Sequence, residues 1–81
     1  MNLEVKLFAV AKQLAGRPLV TVELPEPATV ADLRRELARQ VPELAAIVGQ
    51  TLFAVGEEYA VDATPLLPGS EVACIPPVSG G

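Results

Sequence analysis

Apolar and charged residues alternate over Leu3-Glu4-Val5-Lys6-Leu7-Phe8, the period of two that belongs to a half-buried strand. Leu3, Val5 and Leu7 then share one face and Glu4, Lys6 and Phe8 the other, which leaves Phe8 as a large apolar group ending a polar face. Helix formers fill Ala9 to Ala15 and stop at Gly16, a suitable residue just past a helix end, so a short helical turn follows. Arg17-Pro18 leads into a second strand, Leu19 to Leu24, with Val20, Val22 and Leu24 inward. After the rigid connector Pro25-Glu26-Pro27, Thr29 is a candidate N-cap with Asp32 three residues on, as in a capping box. Val30, Leu33, Leu37, Ala38 and Val41 then recur at helical spacing, and Arg34, Arg35, Glu36, Arg39 and Gln40 are expected to face water. Pro42 ends this main helix, and a short second helical turn is expected from Pro42 to Val48, closed by Gly49.

The remainder reads as strands. Thr51 to Val55 is a third strand, Gly56-Glu57-Glu58 a turn, and Tyr59-Ala60-Val61 a short fourth strand, together a hairpin. Asp62 to Pro68 is a longer connection whose Leu66 and Leu67 are expected to tuck under the sheet. Pro68-Gly69 suits the centre of a type II turn, and Glu71 to Ile75 is the last strand. The order β-β-α-β-β-β with one main helix predicts an α+β domain, a mixed sheet of about five strands with the helix on one face. Placing the first and last strands side by side and parallel makes it a β-grasp. Residues 1–75 would form this domain and residues 76–81 a flexible tail.

With 81 residues the chain has room for one modest core. Half of it, 51%, is hydrophobic, high for so small a protein, so some apolar surface should remain for a partner. A net charge of −4 argues against nucleic acid. The pattern contains neither a secretory leader nor an apolar run of membrane-spanning length, and one cysteine cannot build a disulfide framework; the expected location is cytoplasmic. The absence of histidine removes His-based acid–base catalysis and ordinary zinc sites.

Few residues are left to carry chemistry. Cys74 is either a nucleophile, which would need a neighbouring cation or base, or a small apolar filler in its strand. Arg34, Arg35 and Arg39 suggest either an anion site or a solvated helix face. Glu57, Glu58 and Asp62 lie in or beside turns, where carboxylates stay solvated.

The end of the chain is different. After the last strand come Pro76-Pro77-Val78-Ser79-Gly80-Gly81. Proline gives no N–H to a ladder, so Pro76 should end the strand and Pro77 keep the chain extended. Extended backbone carries Pro77 to Gly81 about 17 Å from the body. Gly80 and Gly81 lack a Cβ, so a narrow channel would admit them where a bulkier residue would jam. What arrives at its bottom is the bare α-carboxylate of Gly81. A carboxylate is a poor electrophile, so acyl chemistry requires activation, for instance as a mixed anhydride with AMP. An accessible Gly-Gly end is therefore read as an acyl donor or carrier served by a partner enzyme, against the plainer reading of a frayed terminus. Phe8, Ile75 and Val78 would form an apolar docking surface around it, with Phe53 either joining them or lying in the core.

These residues resemble a known family. Leu7-Phe8-Ala9 with a short helix ending at Gly16 is similar to the opening of the small subunit of molybdopterin synthase. Pro68-Gly69-Ser70-Glu71-Val72 and Ile75-Pro76-Pro77-Val78-Ser79-Gly80-Gly81 are similar to its closing segment. The resemblance implies a ubiquitin-like β-grasp with no bound cofactor, adenylated at Gly81 by an E1-like enzyme that consumes ATP. A sulfur donor protein would convert Gly81 to a thiocarboxylate. The tail, with Gly80 beside the carrier residue, would enter a large catalytic subunit and give its sulfur to cyclic pyranopterin monophosphate. Phe8, Ile75, Pro76, Pro77, Val78 and Ser79 would contact that partner. The implied assembly is a heterotetramer, a large-subunit dimer with one small subunit at each end. A carrier for thiamine or tRNA thiolation, a ubiquitin-like modifier and a non-carrier interaction domain remain as alternatives.

Overall fold

Three chain segments with inward-pointing residues at every second position determine the architecture, because each must bury one face. In the computed structural model, which describes residues 1–77, β1 (Asn2–Leu7) buries Leu3, Val5 and Leu7, β2 (Leu19–Glu23) buries Val20 and Val22, and the last strand, β7 (Glu71–Ile75), buries Val72 and Cys74. Helix α1 (Ala9–Ala15) follows β1 and ends at Gly16, whose φ of 75° places it in the left-handed region that glycine adopts without strain. Strand β2 then pairs antiparallel with β1.

The main helix, α2 (Val30–Gln40), starts from a complete capping box: the Thr29 hydroxyl accepts from the Asp32 N–H, and the Asp32 carboxylate accepts from the Thr29 N–H at 2.8 Å. Its buried stripe, Val30, Leu33 and Leu37, closes the core against the inner face of the sheet. Pro42 stops the helix. Two separate 3-10 turns, Pro42–Leu44 and Val48–Gln50, replace the single helical turn the sequence suggested, and Gly49 lies inside the second turn instead of closing the first.

Strands β4 (Leu52–Val55) and β5 (Glu58–Ala60) form the hairpin; β4 starts one residue later than expected and β5 lies one position earlier, because Val55 pairs with Glu58 across a two-residue turn at Gly56-Glu57. The five-stranded sheet runs β2-β1-β7-β4-β5, with β1 and β7 parallel at its centre. This is the mixed β-grasp sheet, with one main helix on one face. A second, two-stranded sheet pairs β3 (Ala28–Thr29) with β6 (Pro65–Leu66). Leu66 is buried beneath it, but Leu67 is 67% exposed, which corrects the expectation that both tuck in: adjacent residues of an extended chain point to opposite sides. The Ser70 N–H donates to the Leu67 carbonyl at 3.0 Å, with Gly69 at φ 82°, as the Pro68-Gly69 turn requires.

Candidate functional site

The strand register sets out the sheet face turned away from α2, row by row. Leu19, Lys6, Ala73, Ala54 and Tyr59 lie side by side across all five strands. One row towards the start of β1, Thr21, Glu4 and Glu71 are neighbours, with Asn2 opposite Glu23 beyond them. One row the other way, Ile75 pairs with Leu52, and the Phe8 N–H donates to the Cys74 carbonyl at 3.3 Å, which holds Phe8 beside the end of β7. The open face therefore grades from acidic to apolar, and the apolar end is where β7 leaves the sheet.

Phe8 is half exposed there, at 47%, as its position in the alternation predicted. Ile75 is partly buried, Pro76 buried and Pro77 exposed. Val78, Ser79, Gly80 and Gly81 lie outside the described residues. Phe53 is fully buried, so of the two readings open to it the core is the correct one, and Leu52, with half its surface exposed, takes the place on the apolar patch that Phe53 might have held. Strand alternation was the available signal: Leu52 pairs with Ile75, and Phe53 with Cys74.

Cys74 is buried, and burial pushes its thiol up to about 11, the positive charge of Arg34 acting more weakly in the opposite sense. A neutral buried thiol is a packing group, as the filler reading held.

The basic residues of α2 are all engaged. Arg35 pairs with Asp32 and Arg39 with Glu36; both arginines are exposed as expected, but the Glu36 side chain is only 20% exposed, with Arg39 Nε donating to it at 3.0 Å, which corrects the assignment of Glu36 to water. Arg34 does not face water. Its side chain is only 20% exposed, donates to the Thr51 carbonyl at 2.7 Å and to the Val48 carbonyl, pairs with Asp62 at 2.8 Å, and lies 5.0 Å over the Phe53 ring. Helical periodicity assigned it to the surface; the chain folding back over that surface through residues 47–51 and 61–62 is what covers it. None of the three is left to hold an anion, and no cluster of metal-binding side chains occurs among the described residues. The thiol and these cations thus do structural work, and the exit of β7 is the candidate site.

Comparison with known proteins bears on the family and the fold. The sequence profile of the ThiS family matches residues 5–81. A molybdopterin synthase sulfur carrier subunit from Homo sapiens is 37% identical over 83 residues, spanning 99% of this chain and 94% of that protein. Among solved structures, SAMP1 from Haloferax volcanii superposes with a TM-score of 0.87 at 30% identity, covering all of both chains. A complex of subunits 1 and 2 of molybdopterin-converting factor from Helicobacter pylori contains a chain of the same fold, with a TM-score of 0.69 at 22% identity over the whole of both chains.

Proposed function

The chain belongs to the ThiS family, and from that premise we propose that it is the sulfur carrier subunit of a molybdopterin synthase. The observation that carries this reading is the match to a human protein of that name over 99% of this chain, together with a family profile that runs to Gly81. In this reading a Gly81 carboxylate oxygen attacks the α-phosphorus of ATP on an E1-like enzyme, releasing pyrophosphate and leaving a glycyl-adenylate. The terminal sulfur of a donor protein's persulfide attacks the acyl carbon and AMP departs; a second thiol then cleaves the acyl disulfide, releasing the thiocarboxylate and leaving a disulfide on the donor side. The resulting thiocarboxylate enters the large subunit, where its sulfur passes to cyclic pyranopterin monophosphate; two rounds supply the dithiolene of molybdopterin. The assembly is a cytoplasmic heterotetramer. Phe8, Leu52 and Ile75 support docking at the tail's exit, since a clustered apolar surface beside an emerging chain end is what a receiving partner needs to cover.

The likeness to SAMP1, which a second solved structure describes as a small archaeal modifier protein, favours one other reading: a ubiquitin-like modifier joined through Gly81 to amines. Both readings share the adenylate and part at the nucleophile. Incubation with ATP, the cognate E1-like enzyme and a sulfur donor should give a product about 16 Da heavier, one oxygen replaced by sulfur. Conjugates to lysine in place of that product would favour the modifier. A folded protein left unmodified by a demonstrably cognate enzyme would remove both.

A further inference from the structure

The chain has six basic residues, and the three on α2 are all ion-paired. The other three, Lys6, Lys12 and Arg17, make no ion pair among the described residues and come together at one end of the molecule. A groove of about 460 Å³ runs between Phe8, Ala9, Lys12, Pro18 and Leu19, with Lys6 on its margin. A second hollow of about 450 Å³ continues it, sharing Ala9, Lys12 and Pro18 and adding Gly16 and Arg17. The walls are apolar as well as basic: Phe8 and Leu19, two of the large apolar side chains exposed among the described residues, line the groove. Ala9, common to both hollows, has φ +52° and is the one non-glycine described residue in the left-handed region. Such strain persists where the surroundings fix it, commonly at binding sites.

We propose that this trough docks a partner segment bearing carboxylates among apolar side chains, the carboxylates meeting Lys12 and Arg17 and the apolar groups covering Phe8 and Leu19. The proposal rests on the carrier reading, in which a partner receives the chain beyond Pro77. Phe8 bonds to the end of β7, so a protein taking that chain meets the trough at once. Charge selects the occupant. On a chain of net charge −4, three cations that make no ion pair among the described residues favour an acidic partner surface there. Lys6 marks the limit of the basic region, since Glu4 and Glu71 lie one row beyond it.

Exposed charge pairs add little affinity but set association rate and salt dependence. The test is therefore the association rate with the large subunit of the synthase, measured from about 0.05 M to about 0.5 M sodium chloride. Wild-type association should slow as salt rises. Lys12→Glu/Arg17→Glu should associate about tenfold more slowly at low salt, with the salt dependence flattened or inverted. Arg35→Glu/Arg39→Glu, on the helix side, makes the same change in net charge and should stay near the wild-type rate. The docking proposal falls if the first pair keeps the wild-type rate and salt slope, or if the control pair slows as much. Wild type that fails to bind the large subunit at all would instead overturn the carrier reading, and the trough's role with it.

Discussion

Cys74 lies on β7 among core side chains, 1% exposed, and its thiol has moved from an ordinary value of 9.0 to about 11 because burial disfavours the thiolate. Below pH 9 the thiol is neutral in both folded and unfolded chains and stability does not depend on it. Between pH 9 and about 11 the unfolded chain loses this proton while the native chain keeps it. The unfolded state then binds fewer protons, so stability falls as pH rises and levels off above about 11. The loss should be about 1–3 kcal/mol. Melting temperatures taken across that window should drop more for wild type than for Cys74→Ala; parallel curves would show that the thiol is not responsible. The filler reading of Cys74 was legible in the sequence, because a thiol within a short apolar strand, in a chain without histidine, is placed for packing more than for activation. The role of Arg34 was not. A helix wheel reports direction from the helix axis, and what lies in that direction depends on segments folded over it from elsewhere.

At the scale of elements, Arg34 ties α2 to the second 3-10 turn, to Thr51 just before β4, and to Asp62 after β5. Its planar fork meets two backbone carbonyls and a carboxylate at once, a geometry an ammonium group does not reproduce. Arg34→Ala leaves the Val48 and Thr51 carbonyls without that partner and uncovers the Phe53 ring, and should cost about 2–3 kcal/mol in urea denaturation. Arg34→Lys should restore only a fraction of this. Asp62→Asn should change stability by less than about 0.5 kcal/mol, because the Asp62 side chain is 63% exposed and surface ion pairs contribute little. A loss as large for Asp62→Asn as for Arg34→Ala would show that the ion pair, and not the carbonyl contacts, holds the turns. The main elements were legible because each carries a period or a punctuation mark: alternation in β1, the capping box at Thr29 and Asp32, Gly16 after α1. Two-residue strands such as β3 and β6 carry neither, since two positions cannot display a period, and their pairing arises from the tertiary fold alone.

Across the whole molecule, the parallel pairing of the terminal strands brings β1 and β7 to the middle of the sheet, so β7 ends at Ile75 beside Phe8 and not at an edge. This much followed from strand order. The grading of the open face from acidic to apolar did not, because it needs the register between strands that are distant in sequence. If Gly81 carries sulfur, the distance from the body to the terminal carbon becomes a property of the molecule as a whole: the docked sheet face sets one end and the partner's reacting atom the other. A reacting group displaced by even about 1 Å can lose about 100-fold in rate. One alanine added after Gly81 keeps Gly80 and Gly81, the net charge and a free carboxylate, and changes no core residue. It moves the carboxylate by about 3.5 Å and places it on a carbon that bears a methyl group. The extended protein should melt like wild type and bind the large subunit through the same face, yet convert no precursor to molybdopterin. Gly80→Val should behave alike, because its side chain is what a channel for bare backbone rejects. Normal turnover by the extended protein, its intact mass proving the added residue still present, would mean that the position of the terminal carbon does not matter, and the carrier mechanism would fail on that result.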